Sequence, residues 1–471
     1  MTLNITTSTP KSQKRSRVSQ KALLTTSAAS ILMLMAAAPM AQAQTDSPDG
    51  SMIAITDDTP VINPGSDTVI TIAAGVTQTI ADANADLNAN ILLDGQGDND
   101  DVTITNAGTL INNDVQDQSG VITIDNAENN TVITNTDTGV FQGVNGVLFF
   151  EGDEVTLTNN GTIAGTGTAS NAVVFFDRDA EDGRSNGEVP AADTEANTII
   201  NTGTISSVGG ATIGFNTLLG IDPSSGTLGD EDGLSAFTLN NSGTISNSDA
   251  GDDDGSDAVN FNGNPGTLSG NPRGCLEDNG AGPQLNCQIV LDLDNSGTIS
   301  TARDDADNAA IRSEDDAVLL GNITNTASGT ITGASQGIFI NGAPGQHNLT
   351  IDNAGAITGT SSSGVRITGD GVTLNNQAGG VITGGVSGLL VEGSTFDIDT
   401  GPTDIAGAAL GVNNTFTNAG TISGGTASVD LTGAGEAVTF TQLGGGALTG
   451  CLLYTSPSPR DQRGSRMPSS A

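Results

Sequence analysis

The stretch Leu349–Asn376, LTIDNAGAITGTSSSGVRITGDGVTLNN, holds the unit from which the chain is built. At its centre Ile351-Asp-Asn-Ala-Gly-Ala-Ile357 joins an apolar strand end to a turn Asn, a spacer, a Gly and a second apolar residue. Close variants are TITNAGTL (103–110), TLTNNGTI (156–163), IINTGTI (199–205), LNNSGTI (239–245), LDNSGTI (293–299) and FTNAGTI (416–422). Looser copies run ITNTDTGVF (133–141), ITNTASGTI (323–331) and LNNQAGGVI (374–382). Repetition of this kind is the signature of an array of stacked units.

The turn asparagines are Asn106, Asn135, Asn159, Asn201, Asn241, Asn295, Asn325, Asn353, Asn376 and Asn418, with gaps of 29, 24, 42, 40, 54, 30, 28, 23 and 42 residues. The short gaps define a period of 23–30 residues; the long ones read as one period plus an insertion, or as two periods. Within one period three short runs alternate: Leu349 and Ile351, Val365 and Ile367 around Arg366, and Val372 and Leu374 around Thr373. Period-two alternation means half-buried strands, and nothing after residue 44 keeps a 3.6-residue period long enough for a helix.

The expected fold is therefore all-β: a parallel β-helix with three short strands per coil, like positions lying over like, about 4.8 Å apart. Asn and Gly tolerate the left-handed backbone of sharp corners, and stacked Asn can bond amide to amide from coil to coil. One coil cannot stand alone, because its few inward aliphatics do not offset the entropy of fixing some 25 residues; neighbours must close the gap. Aliphatic and aromatic content is low and borders on disorder, and the regularity of the alternation decides for folded strands.

Residues 1–43 carry five basic residues and no acidic one, then an apolar run from Ala22 to Ala38 and an Ala-x-Ala ending. This reads as a secretory signal cleaved between Ala43 and Gln44; an uncleaved anchor is the alternative, with a run short for a membrane span. From 44 to 450 the balance inverts, with 53 of the 54 acidic residues against six Arg and no Lys. Such a surface repels nucleic acid and anionic lipid. Residues 52–100 are a weaker form of the pattern, and insertions are expected at 177–196, 217–235 and 249–288, where a solenoid places its partner contacts. In an exported chain Cys275 and Cys287, spaced C-x11-C, are expected to close a small disulfide worth ~2–3 kcal/mol.

After Gly450 the pattern stops. Residues 451–471 hold the only Tyr, the third Cys, three Arg and three Pro. CLLYTSPSPRD (451–461) reads as one frame of a transposase-end sequencing adaptor. The segment is expected to be a non-native tail, with the native chain continuing beyond 450.

With its long basic signal and its NAGTI and NSGTI units, the chain over 1–450 resembles the passenger region of Gram-negative autotransporters carrying N-x-G-T-I repeats. The resemblance implies a right-handed parallel β-helix held at the outer membrane by a C-terminal β-barrel, on the cell surface or released. No run of barrel strands ending in an aromatic is present in the sequence. The implied function is adhesion or surface structure without catalysis, toward a surface or matrix ligand the sequence does not name.

A serine-protease triad needs a His, and the only one, His347, lies in GAPGQHN and reads as a solvated turn residue. A pectinase-like enzyme needs only converging carboxylates, but residues 44–450 lack the Trp or Tyr of a sugar platform; it remains the second reading. No cofactor is implied. Calcium is the one conceivable ligand, at DGQGDNDD (Asp94, Asp98, Asp100, Asp101), GDEDG (229–233) and GDDDGSD (251–257, with Asp252, Asp253 and Asp254). None matches a recognised calcium loop, so diffuse counter-ion binding competes with specific sites.

Overall fold

The stretch Leu349–Asn376 becomes three strands and the first strand of the next repeat, with the apolar side chains of each turned inward. Asn348–Asn353 buries Leu349, Ile351 and Asn353; Ala356–Gly359 buries Ile357 and Gly359; Ser363–Ile367 buries Val365 and Ile367 and leaves Arg366 half-buried. The computed structural model describes residues 45–46, 50–55, 62–63, 67–80, 90–94, 101–113, 120–127, 130–144, 146–152, 155–168, 171–178, 197–218, 234–249, 256–262, 276–278, 283–285, 288–314, 317–342, 347–398, 405–409, 413–435 and 438–454. All of these fall in the unit Ala41–Ala471. Every regular element among them is a strand.

The third alternating run read from the sequence belongs to the next repeat. Val372 lies beside Leu349 and Leu374 beside Ile351, so Val372–Asn376 repeats the first strand. The strand the sequence reading passed over is Ala356–Gly359, whose small residues Ala, Thr and Gly hide a single inward Ile357.

Each of the three positions continues as a parallel ladder along the chain. The first contains 13 strands, from Met52–Ile55 to Thr439–Gln442. The second runs from Thr77–Ile80 through Thr109–Asn112 and Ala356–Gly359 to Val381–Gly384, and the third from Thr45–Asp46 through Ser363–Ile367 to Ser387–Glu392. The last two merge in one sheet because Thr421–Gly433 continues through both positions. The result is an all-β stack of parallel strands in regular register, consistent with a parallel β-helix.

Inward residues from the three ladders meet in one core. Ile323, Ile351 and Leu374 stack in the first ladder, Ile331, Ile357 and Ile382 in the second, and Ile338, Val365 and Leu389 in the third; all are at most 1% exposed. Earlier in the chain the core is aromatic. Phe150, Phe175, Phe215 and Phe261 stack in register in the third ladder. Phe237 of the first ladder packs between them, its ring centre 4.6 Å from that of Phe215 and 5.6 Å from that of Phe175. Tilted contacts of this kind add to the area buried.

The insertion expected at 249–288 is shorter than the sequence suggested. Val259–Asn262 is a strand of the third ladder, paired with Ile213–Asn216 before it and Ile311–Ser313 after it. Its inward Val259 and Phe261 were overshadowed by the acidic run that precedes them. An antiparallel hairpin, Leu276–Asp278 with Pro283–Leu285, lies further along the same insertion. The strand Ala447–Tyr454 crosses the boundary expected at 450, pairing Leu452 and Tyr454 with Val429 and Leu431; both side chains stay exposed, at 43% and 63%.

Candidate functional site

Ten successive strands of the first ladder end on an inward asparagine, and these side chains form one continuous chain. Asn106 Nδ2 donates to Asn135 Oδ1 at 2.9 Å, and the pattern passes through Asn159, Asn201, Asn241, Asn295, Asn325, Asn353, Asn376 and Asn418 at 2.7–2.9 Å. The last amide donates to Gln442 Oε1 at 3.0 Å. The remaining amide proton turns to the backbone: Asn159 Nδ2 reaches Thr204 O at 3.2 Å, and Asn325 Nδ2 reaches Ala356 O at the same distance. All ten asparagines are at most 2% exposed. A buried amide is costly unless its donors and acceptor are used, and repetition of one residue type at one position uses them. The Gly that follows each Asn is set by the stacking itself: a Cβ on Gly203 would run into the carbonyl of Gly161, and one on Gly243 into that of Gly203.

A second polar network surrounds the corner 302–308, between the second-ladder strand Thr298–Thr301 and the third-ladder strand Ala309–Ser313. Arg303, only 2% exposed, donates to Ser256 Oγ at 3.1 Å and pairs with Asp249 at 3.9 Å and Asp305 at 3.3 Å. Asp257 is fully buried. Its Oδ1 accepts the Ala309 N–H at 2.8 Å, its Oδ2 accepts from Asn260 Nδ2 at 3.0 Å, and Arg312 Nη1 lies 3.7 Å away. Asn260 Nδ2 also donates to Glu314 Oε1 at 3.0 Å, and Arg312 Nη2 meets Glu314 Oε2 at 2.7 Å. Burial pushes the Asp257 carboxyl up to about 7, against the opposing pull of Arg312 and the Ala309 N–H, with Glu314 adding to the rise and Asn260 opposing it.

Arg366 closes the same region. Its Nη2 pairs with Glu392 at 2.7 Å and its Nη1 with Asp307 at 3.4 Å, and its guanidinium carbon lies 4.5 Å from the ring centre of Phe339. Arg312, Phe339 and Arg366 occupy one outward row of the third ladder. Each of the three arginines thus bridges two carboxylates, at least one of them from a different repeat of the stack.

His347 departs from the expectation of a solvated turn. It is 2% exposed; Nδ1 accepts the Leu319 N–H at 3.0 Å, which leaves the ring proton on Nε2, 3.0 Å from Asn341 O. Burial holds its pKa below the usual value, against the Asn341 carbonyl and Asp370. The turn-like phrase GAPGQHN concealed this, because the ring's partners lie 6 and 28 residues away. Gly369 makes the room, as a Cβ there would come within 2.5 Å of the ring.

Of the calcium candidates, Asp101 is exposed at a left-handed corner with φ 59°, and Asp94 ends the strand Ile91–Asp94. The side chain of Asp94, Asp98, Asp100, Asp252, Asp253 and Asp254 lie outside the described residues, as do Cys275, Cys287, Ala43, Gln44 and residues 179–196 and 219–233. Among the described residues no group of three or more His, Cys, Asp or Glu side chains is arranged to hold a metal ion. Sequence reasoning met Asp257 only as the end of the calcium candidate GDDDGSD (251–257) and gave no role to Asn260, Arg303, Arg312 or Glu314. The available signal was scarcity: three of only six arginines between 44 and 450 fall within 303–366. No protein-family model, no curated protein and no solved structure matches the chain.

Proposed function

We propose that the stack closes into a right-handed parallel β-helix, and that it is the passenger region of an autotransporter-like protein displayed on a Gram-negative surface. Its role there is adhesive or structural rather than catalytic. The observation that carries this reading is the asparagine chain, which keeps one position in register through ten successive first-ladder strands while the intervening sequence varies in length from 23 to 54 residues. A scaffold of that kind holds insertions at fixed intervals, and surface loops on a rigid frame are where partners are met. The acidic surface suits a solvated, non-aggregating exterior.

Surface labelling of intact Gram-negative cells expressing the full reading frame is the test. Antibody or protease should reach the chain without lysis, and cells carrying it should adhere to a matrix or to one another more than cells without it. A chain protected until lysis would overturn the proposal.

One observation favours the second reading, a carbohydrate-active enzyme. Asp257 Oδ2 and Glu314 Oε1 each lie 3.0 Å from the same Asn260 nitrogen, and paired carboxylates about 5 Å apart serve retaining glycosidases. Here the Asn260 amide and the Arg312 guanidinium bridge the two groups, where a sugar would have to sit. Release of reducing ends from polygalacturonate by the purified protein, lost in Asp257→Asn, would establish the enzyme.

A further inference from the structure

We propose that Asp257, Asn260, Arg312 and Glu314 form a proton-operated latch, in which ionised Asp257 fastens Val259–Asn262 to Ala309–Ser313 and protonated Asp257 releases part of that fastening. The backbone register places Val259 beside Ile311, Asn260 beside Arg312 and Phe261 beside Ser313. Asp257 adds to this pairing from just before the strand, through Ala309 N–H and Arg312, while Asn260 ties it to Glu314.

Within the buried site the fastening favours ionised Asp257, because Arg312, the Ala309 N–H and Asn260 each pull its pKa down against burial. A released arrangement that keeps Asp257 buried takes up the proton more readily, whereas the unfolded chain takes it up less. Asn260 Nδ2 donates to Asp257 and Glu314 together, and Arg312 spans the same two carboxylates. A proton on Asp257 Oδ2 faces the Asn260 donor and repels it. Turning the Asn260 amide over would instead bring its oxygen against Glu314 Oε1. Arg312 then stays with Glu314, its closer partner at 2.7 Å, and the Ala309 N–H contact to Oδ1 is left, weaker because its acceptor is neutral.

Two buried atoms of the latch, Asn260 Oδ1 and Arg312 Nε, have no hydrogen-bond partner among the described residues. Each unsatisfied buried atom carries its desolvation cost, so the fastened arrangement is not held by a fully closed network. The charged groups facing Asp257 are Arg312 and Glu314 on the following strand; Arg303 and Asp249 stand beside it through Ser256, and Asp305 pairs with Arg303. On the preceding side, among the described residues, its bonds are to neutral groups, the Thr212 N–H and Asn247 Nδ2, both bonded to its backbone carbonyl.

Amide hydrogen exchange of the full chain, corrected for the intrinsic effect of pH, tests the latch. Ala309 should exchange about tenfold faster below the Asp257 transition than above it, the difference between a charged and a neutral acceptor. Glu314→Gln should move that transition to lower pH by removing a like charge, and Arg312→Met should move it to higher pH. Asp257→Asn should abolish the step. No step in the wild-type chain, a step that survives in Asp257→Asn, or an unmoved midpoint in Glu314→Gln would each overturn the proposal. If Asp257→Asn fails to fold, the Glu314→Gln shift decides alone.

Discussion

The first and third ladders solve the same problem, a buried polar residue, in opposite ways. In the first ladder the solution is neutral and translational: each Asn gives its amide proton to the next, and one residue type serves ten times. Around the corner 302–308 the solution is ionic and local: Arg303, Arg312 and Arg366 each take two carboxylates, and buried atoms are left over. A neutral amide chain is indifferent to pH and little affected by salt, whereas buried charges carry desolvation costs that shift with protonation. The asparagine chain therefore serves uniformity along the stack, and the arginine corner makes one place in it different from the rest.

The comparison breaks most severely at the middle of the amide chain. Asn241→Ala takes from Asn201 the acceptor of one amide proton, the other staying on Thr244 O, and leaves Asn295 Oδ1 without its Asn241 donor. It should cost about 3 kcal/mol in urea unfolding, from two buried amides each short of one partner and a small cavity, with no dependence on pH between 4 and 8.

The ionic side should show pH dependence that the amide chain lacks. Asp257 has its folded pKa raised from 3.8 to about 7, so the folded state holds the extra proton in that window. Its contribution to stability is fully present below the unfolded value and lost as pH rises through about 7. His347 is shifted the other way, below 6.5. Its contribution is present above 6.5 and lost as pH falls through its lowered folded value. The two trends oppose one another in the wild-type chain. Asp257→Asn should leave stability that falls toward acid, and His347→Gln should leave stability that falls from acid toward neutrality; unfolding free energies measured from pH 4 to 8 check both signs.

The smallest effect is expected at the rim of the corner. Arg366 is 22% exposed and Asp307 69% exposed, so Arg366→Met should cost no more than about 1 kcal/mol. Part of that should vanish in wild-type controls at high salt, through screening. A larger loss would mean that its stacking on Phe339 matters more than its charges.

The stacking was legible in the sequence because it is local and repeated. An Asn, a spacer, a Gly and a β-branched residue recur, and each copy states the same corner. The strand Ala356–Gly359 was harder to see, since only Ile357 marks it as half-buried. Val259–Asn262 was hidden by the acid-rich run before it, although Val259 and Phe261 alternate as any inward pair does. The arginine corner showed in the sequence only as a clustering of scarce arginines, with nothing to name their partners. Asp257 meets Ala309 across 52 residues and Asn260 meets Glu314 across 54, and nothing local distinguishes Asp257 from the exposed acids expected around it. His347 was misread for the same reason: its burial comes from Leu319, Asn341 and the absent side chain at Gly369, not from its own neighbours in sequence.

The amide chain also changes what the segments between its members have to do. Asn241 and Asn295 meet at 2.8 Å across 54 residues, as closely as Asn353 and Asn376 do across 23. Each turn of polypeptide is re-phased on arrival, so an error in spacing is forgotten within one repeat. Foreign peptides spliced between those two asparagines should leave the downstream registration intact, which makes the molecule a natural mount for grafted epitopes.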